Sequence, residues 1–184
     1  MKKGNAMIRK KTVKELIGES LEELLKNKPF EKITVNEITE NCGVGRRSFY
    51  NNFVDKYDLA AWLYLSQLNE FIETRDTARL TEFIKYTAEV VEKDLQIILA
   101  LDKYRGQNSL RDSLLRPMTD QYIKALEKFY NCNINDQMQE DIKFFIAGQI
   151  SYVGSVLHEP VPPASEEVTE LFIRCIPESL KQFI

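Results

Sequence analysis

A short polar cluster, GVGRRSFYNNF at residues 43–53, holds the side chains of this sequence that are best suited to chemistry. Arg46 and Arg47 carry planar, permanently charged guanidinium groups, which bind phosphate oxygens and the edge of guanine. Tyr50 adds a hydroxyl and Asn51 an amide, each four residues after one of the arginines. A packed core does not require such a cluster. The spacing therefore favours a surface that contacts phosphates and base edges.

Residue types that usually carry catalysis or bind metals are scarce. His158 is the only histidine, and Cys42, Cys132 and Cys175 lie far apart along the chain. The cysteine spacing matches no metal motif and no disulfide framework, and the sequence holds no phosphate loop or nucleophile–base pair. The GVG stretch at 43–45 lacks the third glycine of a dinucleotide-binding fingerprint. We therefore expect no catalytic residue, no metal site and no cofactor.

The 184-residue chain has a formal net charge of -3, but the charge is unevenly distributed. Residues 1–57 hold 12 Lys and Arg against 8 Asp and Glu, whereas residues 58–184 hold 13 against 20. A basic first third on an acidic remainder is typical of a chain whose N-terminal part meets a polyanion. The basic start, MKKGNAMIRKK, is either an arm that reaches a minor groove or a frayed end.

The sequence also predicts the compartment. The charged start is not followed by the apolar stretch of a signal peptide. No window is apolar enough to span a bilayer. The three cysteines fit a reducing environment, so we expect a cytoplasmic protein.

The elements that must position the polar cluster are predicted to be helices. Only 7 glycines and 6 prolines occur in the chain, and abundant Leu, Ile, Glu and Lys favour an all-α fold. Apolar residues at helical spacing predict a first helix over about 13–25. Thr34 and Glu37 match a capping box that begins a second helix, and Gly43 is expected to end it.

A third, short helix is expected directly after this glycine turn. Phe49 and Phe53 lie four residues apart, so they share the face that packs on the domain. The opposite face carries Arg46, Arg47, Tyr50 and Asn51. Two short helices joined by a tight turn and supported by a longer helix form a helix-turn-helix, whose second helix lies in the major groove of DNA. We therefore assign residues 1–56 to a helix-turn-helix DNA-binding domain.

Residues 57–184 are assigned to a larger helical domain for ligand binding and dimerisation. Asp55 is expected to cap a helix over 56–75, and Ser165 to cap the last helix. Further helices are expected over 80–103, 110–130, 137–157 and 165–183, and the chain is expected to break at YRGQNS (104–109). Pro117 and Pro177 are each expected to kink or split the helix in which they lie. The last two helices are apolar on more than one side, which predicts a homodimer formed through them.

The stretch PFEKITVNEITENCGVGRRSFYNNFVDKYDLAAWLY, residues 29–64, resembles the TetR/AcrR family of transcriptional regulators. The matching positions are Gly43, Val44, Ser48, Phe49, Tyr50, Phe53, Lys56 and Leu59. Within this stretch, the sequence FVDKYDLAAWLY is most similar to a branch of the family from low-GC Gram-positive bacteria that includes regulators of dihydroxyacetone kinase. The resemblance covers about residues 8–65, and the rest of the chain matches only in having about five helices.

The resemblance implies contact roles for individual residues. Thr34 and Lys56 would bind phosphates, and Tyr50 would donate its hydroxyl to a phosphate. Arg46, Arg47 and Ser48 would lie toward the bases and nearby phosphates.

The sequence departs from the family pattern at two positions. Position 45 is often a hydroxyl residue in the family and is Gly45 here, so one cap of the third helix is lost. Position 52 is usually His and is Asn52 here, which still donates to a phosphate but without pH sensitivity. We count Asn51 and Asn52 among the residues expected to contact DNA.

Five aromatic residues of the second domain are candidates for a ligand cavity: Trp62, Tyr86, Tyr122, Phe145 and Tyr152. Aromatic residues at helical spacing more often belong to a packed core, and the sequence leaves both interpretations open. A cavity lined by them would suit a ligand with an aromatic or apolar body and some polar groups. The acidic balance of this domain favours a neutral or cationic compound.

These observations favour a homodimeric TetR-like regulator, most simply a repressor, that binds double-stranded operator DNA and is released by a small-molecule effector. The alternative is a TetR-like coactivator that does not bind DNA and acts through a protein partner. The retained Arg46, Arg47, Tyr50 and Lys56 weigh against that alternative. A helical-bundle enzyme is a third interpretation, which the missing catalytic motifs disfavour.

Overall fold

The computed structural model describes residues 11–103 and 110–184 of the chain. Every regular element in these two ranges is a helix, which confirms the all-α prediction. The α-helices are α1 (Val13–Leu25), α2 (Val35–Asn41), α3 (Arg46–Tyr50), α4 (Lys56–Thr74), α5 (Leu80–Lys93), α6 (Leu95–Lys103), α7 (Leu110–Tyr130), α8 (Asp136–Val156) and α9 (Ser165–Arg174). Segments Phe30–Lys32 and Glu178–Phe183 form 3-10 helices. Residues 1–10 of the basic start and the predicted break at 104–109 lie outside the described residues.

The chain divides into two compact units, of which the first ends at Leu59 and the second begins at Ala60. The division falls inside α4. Among the helices that the structure describes, none is long and apolar enough to cross a membrane.

The core of the first unit is shared by α1, α2 and α3. The side chains of Ile17, Leu21, Ile38 and Phe49 have no exposed surface. The hydroxyl of Ser20 on α1 donates to the backbone carbonyl of Ile38 on α2 at 2.7 Å. This buried hydroxyl is therefore satisfied by the neighbouring helix, and the bond helps to set how α1 and α2 pack.

The turn between α2 and α3 is a Schellman motif. Gly43 has a φ of +67°, in the left-handed region. The N–H of Val44 donates to the carbonyl of Thr39 at 3.0 Å, and the N–H of Gly43 donates to Glu40 at 3.3 Å. These two bonds satisfy carbonyls of the last turn of α2 and redirect the chain. The predicted end of the second helix at this glycine is confirmed.

In the second unit, α7 packs along α8 and α5 packs along α9. Tyr122 on α7 is fully buried where these helices meet. Its ring meets Phe83 on α5 edge-on, with 5.0 Å between centroids, and Phe145 on α8 edge-on at 6.3 Å. Edge-to-face pairs of this kind stabilise a core beyond the area that they bury. Tyr122 thus joins three helices.

The helix predicted over 80–103 is in fact two helices, which meet at Asp94. This residue ends α5 with φ -102° and ψ 27°. Its carboxylate accepts a hydrogen bond of 2.6 Å from the side-chain amide of Gln67 on α4, and its carbonyl accepts from the N–H groups of Ile97 and Ile98 on α6. The Asp94 side chain is thus bound to α4, and the Asp94 carbonyl begins α6. Apolar periodicity alone does not reveal such a break.

Two prolines act differently on their helices. α7 continues through Pro117 as one helix. The last predicted helix divides instead, because α9 ends at Arg174 and a 3-10 helix begins after Pro177. Proline lacks an N–H group and disfavours helical geometry in the residue before it, so a helix commonly stops there.

Of the helix caps predicted at Asp55 and Ser165, the first is confirmed and the second is wrong. The carboxylate of Asp55 accepts from the N–H of Tyr57 at 2.8 Å and begins α4 as expected. Ser165 is the first residue of α9, and Ala164 occupies the cap position. The hydroxyl of Ser165 donates instead to the carboxylate of Glu92 on α5 at 2.7 Å.

Candidate nucleic-acid interface

Two phenylalanines hold α3 on the first unit. Phe49 is 0% exposed and Phe53 is 2% exposed, and their ring centroids lie 5.8 Å apart. With only five residues, α3 is too short to be stable through its own backbone bonds. Burial of each phenylalanine side chain contributes ~1.5–3 kcal/mol, so these rings stabilise the helix. The face opposite the rings is left to polar side chains.

The structure brings four of the predicted contact residues together on that outward face. All four side chains are exposed, including the aromatic ring of Tyr50, which is 50% exposed. They are Arg46, Arg47, Tyr50 and Asn51. An exposed aromatic ring between two arginines is unusual for a purely solvated surface, since most aromatic rings are at least partly buried.

Arg46 is held in place by two neighbours. Its Nη1 donates to the side-chain oxygen of Asn36 on α2, and its Nη2 donates to the Tyr50 hydroxyl at 3.5 Å. Its guanidinium carbon also lies 5.8 Å from the centroid of the Tyr50 ring, a distance suited to a cation–π contact. This guanidinium therefore bridges α2 and α3. A guanidinium has five N–H donors, so others remain for an external acceptor.

Asn36 is a residue that the sequence analysis missed. It lies on α2, two residues after the cap Thr34, and its side chain is exposed. The only sequence signal for it is its place on the helix that precedes the turn. Its bond to Arg46 spans ten residues, so helical spacing within one helix does not predict it.

Arg47 is less constrained than Arg46. Its side chain is exposed. Within residues 11–103 and 110–184, the structure gives this guanidinium no hydrogen bond and no ion pair. An accessible guanidinium group is suited to a bidentate contact with a carboxylate, a phosphate or a guanine.

Asn52 and Ser48 contact each other at the end of α3. The side-chain amide of Asn52 donates to the backbone carbonyl of Ser48 at 2.7 Å, and both residues are half-buried. The amide thus satisfies a carbonyl at the C-terminal end of a helix, where carbonyls lack intrahelical partners. A phosphate contact by either residue stays a prediction.

Thr34 begins α2 with the predicted capping box, which is confirmed. The N–H of Glu37 donates to the Thr34 hydroxyl oxygen at 3.3 Å, and the N–H of Thr34 donates to the Glu37 carboxylate at 2.9 Å. Lys28 donates to the other carboxylate oxygen. The pKa of Glu37 is lowered from its ordinary value of 4.5 to about 2, mainly by the hydrogen bond from Lys28 and to a smaller extent by those from Thr34. The carboxylate therefore stays charged and keeps the start of α2 in place.

Lys56, the first residue of α4, is directed at the backbone rather than at solvent. Its Nζ donates to the carbonyls of Phe30 at 2.9 Å, Glu31 at 3.0 Å and Ile33 at 2.8 Å. Its Nζ also lies 4.7 Å from the centroid of the Phe30 ring. Burial lowers the pKa of this ammonium group. A lysine has three N–H donors, so this geometry favours a structural role, and phosphate binding by Lys56 stays a prediction.

The second unit contains a separate cavity of about 240 Å³. Most of its wall is apolar, with side chains from α5 to α9 that include Val91, Ile98, Leu114, Met118, Val153 and Val168. Tyr64 contributes from α4, and Pro162 and Pro163 contribute from the connector between α8 and α9. The few polar residues in the wall include Thr87, Glu92, Gln149 and Ser165.

The five aromatic residues predicted for a ligand site are not among the residues that line this cavity. Tyr86 stacks against Phe71 with 4.7 Å between centroids, and Phe145 packs against Tyr122. Trp62 on α4 is half-buried. Tyr152 packs edge-on against Phe172, which is a lining residue. Tyr122 and Phe145 are buried and the other three are half-buried, whereas the wall of the cavity consists mostly of aliphatic residues. Ligand contact by the five aromatic residues stays a prediction.

The comparisons with known proteins concern first the helix-turn-helix. A family model described as "Bacterial regulatory proteins, tetR family" matches residues 19–62. This range holds most of α1, all of α2 and α3, and the first turns of α4. No curated protein sequence matches the chain.

Three solved structures are similar along most of the chain. The dihydroxyacetone kinase operon activator DhaS has a TM-score of 0.59 and 13% identity, over 92% of this chain and 97% of that chain. A TetR transcriptional regulator from Streptococcus agalactiae 2603V has a TM-score of 0.55 and 16% identity, over 90% and 93%. The TetR family repressor AlkX from Dietzia sp. strain DQ12-45-1b, implicated in biodegradation of n-alkanes, has a TM-score of 0.59 and 15% identity, over 92% and 98%.

At these identities the structural likeness shows the fold, an N-terminal helix-turn-helix joined to a larger helical region. The family model adds the identity of the segment that carries Arg46, Arg47 and Tyr50 on its outward face. Residues 19–62 therefore carry a helix-turn-helix domain that matches the tetR family of bacterial regulatory proteins, and the chain has the fold of the TetR-family regulators to which it is similar.

Proposed function

We propose that this protein is a homodimeric repressor that binds double-stranded operator DNA through α3 and is released by a small-molecule effector. One observation carries the DNA-binding part of the proposal. Arg47 is exposed without an intramolecular hydrogen bond among the described residues, beside Arg46, which Asn36 and Tyr50 hold in place. A fixed arginine next to an accessible one is suited to positioning the helix and reading a base.

Each side chain of the outward face has a role in this proposal. Arg47 reads a guanine edge, since such a contact uses two parallel N–H donors. Arg46 and Tyr50 bind phosphates close to the start of α3, and Asn51 lies beside them. Phosphate contacts set the position of the helix on the duplex, whereas base contacts supply sequence preference. Thr34 and Lys56 act in support, by fixing the start of α2 and the segment that precedes it.

The proposed dimer interface lies on α8 and α9. Phe144 on α8 is 82% exposed, and Gly148, Ser151 and Ser155 follow it on the same exposed side of the helix. A large exposed apolar side chain next to small residues on the same helix face would allow a second helix to pack closely against it. Two-fold symmetry would pair this face with its own copy. On α9, the half-buried Leu171 is the residue that we assign to the same proposed interface.

The proposed link from effector to DNA is α4. The first residue of this helix, Lys56, binds three carbonyls of the first unit, and Tyr64 on the same helix lines the cavity of the second unit. A dimer must hold its two α3 helices about 34–36 Å apart to reach adjacent half-sites. A ligand that binds two arrangements of α4 unequally would change that spacing and release the DNA.

A gel-shift experiment with the DNA upstream of the protein's own gene tests the proposal. The wild-type protein is expected to shift this DNA in preference to a scrambled duplex. Replacing Arg46 and Arg47 with Ala should abolish that preference, because one bidentate arginine–guanine contact is worth ~1–3 kcal/mol of discrimination. The matched control is Lys85→Ala, which removes one exposed cation from α5 in the second unit. A double-arginine variant that keeps its fold by circular dichroism and still prefers the operator would show that α3 is not the reading helix.

A second candidate is a coactivator with this fold that acts through a protein partner. The name of one structural neighbour, an operon activator, favours activation. Failure of the wild-type protein to shift any duplex at low salt, where phosphate contacts are strongest, would support this candidate over the repressor.

A further inference from the structure

An unpaired amide nitrogen lies in the wall of the cavity of the second unit. Gln149 on α8 is only 4% exposed, and it is one of the cavity-lining residues. Its Oε1 accepts a hydrogen bond of 3.1 Å from the Tyr122 hydroxyl. Its Nε2 is buried and has no hydrogen-bond partner among the described residues. Buried polar groups are almost always paired in folded proteins, so this exception requires an explanation.

The hydrogen bond from the Tyr122 hydroxyl occupies the oxygen of the Gln149 amide. Tyr122 is fully buried, and burial raises its pKa to about 12, so its hydroxyl stays protonated and can donate to Oε1 at neutral pH. The amide NH₂ group then has donors but no acceptor. The nearby Thr87 hydroxyl donates to the carbonyl of Ile84 at 2.7 Å on its own helix. The Gln149 amide nitrogen therefore still lacks a hydrogen-bond acceptor.

The rest of the wall limits the chemistry of a ligand. Most of the lining residues are aliphatic or proline, so a water bound to Gln149 would find few further partners, although buried waters typically need two to four. A dry cavity of roughly 150 Å³ is enough for benzene, and the present cavity of about 240 Å³ is larger. Glu92 also contributes to the wall, and its carboxylate is held by the Ser165 hydroxyl. Glu92 is an exposed residue, so an anionic ligand is disfavoured mainly by the cost of burying its charge against an apolar wall, to which the Glu92 carboxylate adds repulsion.

We propose that the cavity binds a neutral molecule with an apolar body somewhat larger than one benzene ring and a single carbonyl-type acceptor that pairs with Gln149 Nε2. The proposal rests on the effector-responsive regulator proposed above, and it specifies the class of effector. The apolar wall supplies most of the affinity through burial. Gln149 selects among apolar molecules, because it stays unpaired when the ligand lacks an acceptor.

Three probes of nearly the same size and shape test this assignment. They are 2-acetylnaphthalene, which carries a neutral acceptor, 2-isopropylnaphthalene, which carries none, and 2-naphthoate, which carries a negative charge. Their dissociation constants are measured on the purified full chain without DNA by isothermal titration calorimetry. We expect the ketone to bind about two- to tenfold more tightly than the hydrocarbon, the range for one neutral hydrogen bond, and the carboxylate to bind more weakly than both.

Two variants separate the amide from its surroundings. Gln149→Leu should remove the preference for the ketone over the hydrocarbon, because it removes the donor and keeps a similar volume. Tyr122→Phe should retain the preference, because Nε2 is untouched. If Gln149→Leu does not fold, the three probes on the wild-type protein still decide. Equal binding of ketone and hydrocarbon to the wild type, tightest binding of 2-naphthoate, or no binding of any probe would overturn the proposal.

Operator affinity in the presence of the ketone distinguishes this proposal from the proposed function. A ketone preference that depends on Gln149 supports the cavity assignment even where operator affinity does not change. In that case only the proposed release of DNA by an effector fails.

Discussion

At the scale of single residues, Lys56 illustrates how the partners of a side chain decide what it does. Its ammonium group donates to three backbone carbonyls, of Phe30, Glu31 and Ile33. Carbonyls at the end of a short 3-10 segment otherwise depend on water. The same charge on an exposed helix start would be free to bind a phosphate. The geometry therefore makes Lys56 a residue that joins α4 to the segment before α2.

Lys56→Met is expected to lower the free energy of unfolding by ~1–2 kcal/mol, the cost of leaving partly buried carbonyl acceptors without a donor. The measurement is urea denaturation followed by circular dichroism. Lys32→Met is the matched control, because Lys32 is an exposed lysine of the same 3-10 helix. It should stay within about 0.5 kcal/mol of the wild type.

The same variant also tests the phosphate role that the family resemblance implies for Lys56. If the lysine binds a phosphate, Lys56→Met should reduce the dependence of log K on log salt by about 1. If the lysine is structural, the variant should unfold more easily and keep the slope. A variant as stable as the wild type with a reduced slope would contradict the structural role.

Glu37 is expected to make the stability of the protein depend on pH in the acid range. Its pKa is about 2 in the folded chain, below the ordinary value of 4.5, because Lys28 and Thr34 bind the charged form. The folded state therefore binds this proton less readily than the unfolded chain. The stabilisation is fully present above about pH 4.5 and is lost as the pH falls toward 2.

Unfolding free energies measured between pH 5 and pH 2 check this expectation. Glu37→Gln should be less stable than the wild type at the upper end of this range, and the difference should shrink as the pH falls. Glu40→Gln, on the same helix and exposed, is the control and should run parallel to the wild type. A Glu37→Gln curve that also runs parallel would contradict the proposed cause.

At the scale of elements, the Gly43 turn sets where α3 begins. Gly43 has a φ of +67° and no neighbouring atom within 4 Å of an added Cβ, so only backbone strain opposes a side chain there. Gly43→Ala is expected to destabilise the protein by ~1–2 kcal/mol, the cost of the left-handed region for an L-residue. Thermal unfolding followed by circular dichroism measures this change.

Gly45→Ala provides the matched control for Gly43→Ala. Gly45 is the cap residue of α3 with φ -68° and equally open surroundings. Alanine adopts that conformation without strain, so a change within about 0.5 kcal/mol is expected. Equal destabilisation by the two substitutions would show that the turn does not depend on the left-handed conformation.

At the scale of the whole molecule, the proposed dimer makes a prediction about Phe144. Phe144→Glu should weaken association by about 2 kcal/mol or more, as expected for the loss of a central aromatic residue of an interface. Sedimentation equilibrium is expected to show a dimer for the wild type and a shift toward monomer for the variant. Val161→Glu is the control, because Val161 is equally exposed at 82% but lies outside α8 and α9.

Leu180 lies in the stretch 165–183 that the sequence predicted to take part in the dimer, but it is unsuitable for testing the interface. Leu180 is 0% exposed within its own chain, so a charge there would disrupt the fold rather than separate two subunits. Leu171 is half-buried and stays usable. A wild-type protein that sediments as a monomer, or a Val161→Glu variant that dissociates as readily as Phe144→Glu, would contradict the proposed interface.

The parts of the molecule that the sequence by itself determined are those that depend on neighbours within a few residues. The capping box of Thr34 and Glu37, the left-handed turn at Gly43 and the buried pair Phe49 and Phe53 each follow from local spacing. Because backbone geometry links such residues directly, their types suffice to predict a helix start, a turn and a buried face. The helix-turn-helix and the polar outward face of α3 follow from these short-range rules.

The tertiary structure alone decided the contacts between residues that are distant in the chain. The side chain of Arg46 donates to Asn36 across the turn, Gln67 donates to Asp94 at a helix break, and Tyr122 donates to Gln149 of the cavity wall. An amide or an aromatic residue at helical spacing is equally compatible with core, surface and cavity. Its role is settled by which other helix lies opposite it, and that depends on how α4 to α9 fill space together. The sequence therefore identified the helix with the polar outward face, whereas only the packed structure revealed the aliphatic cavity and the unpaired amide nitrogen in its wall.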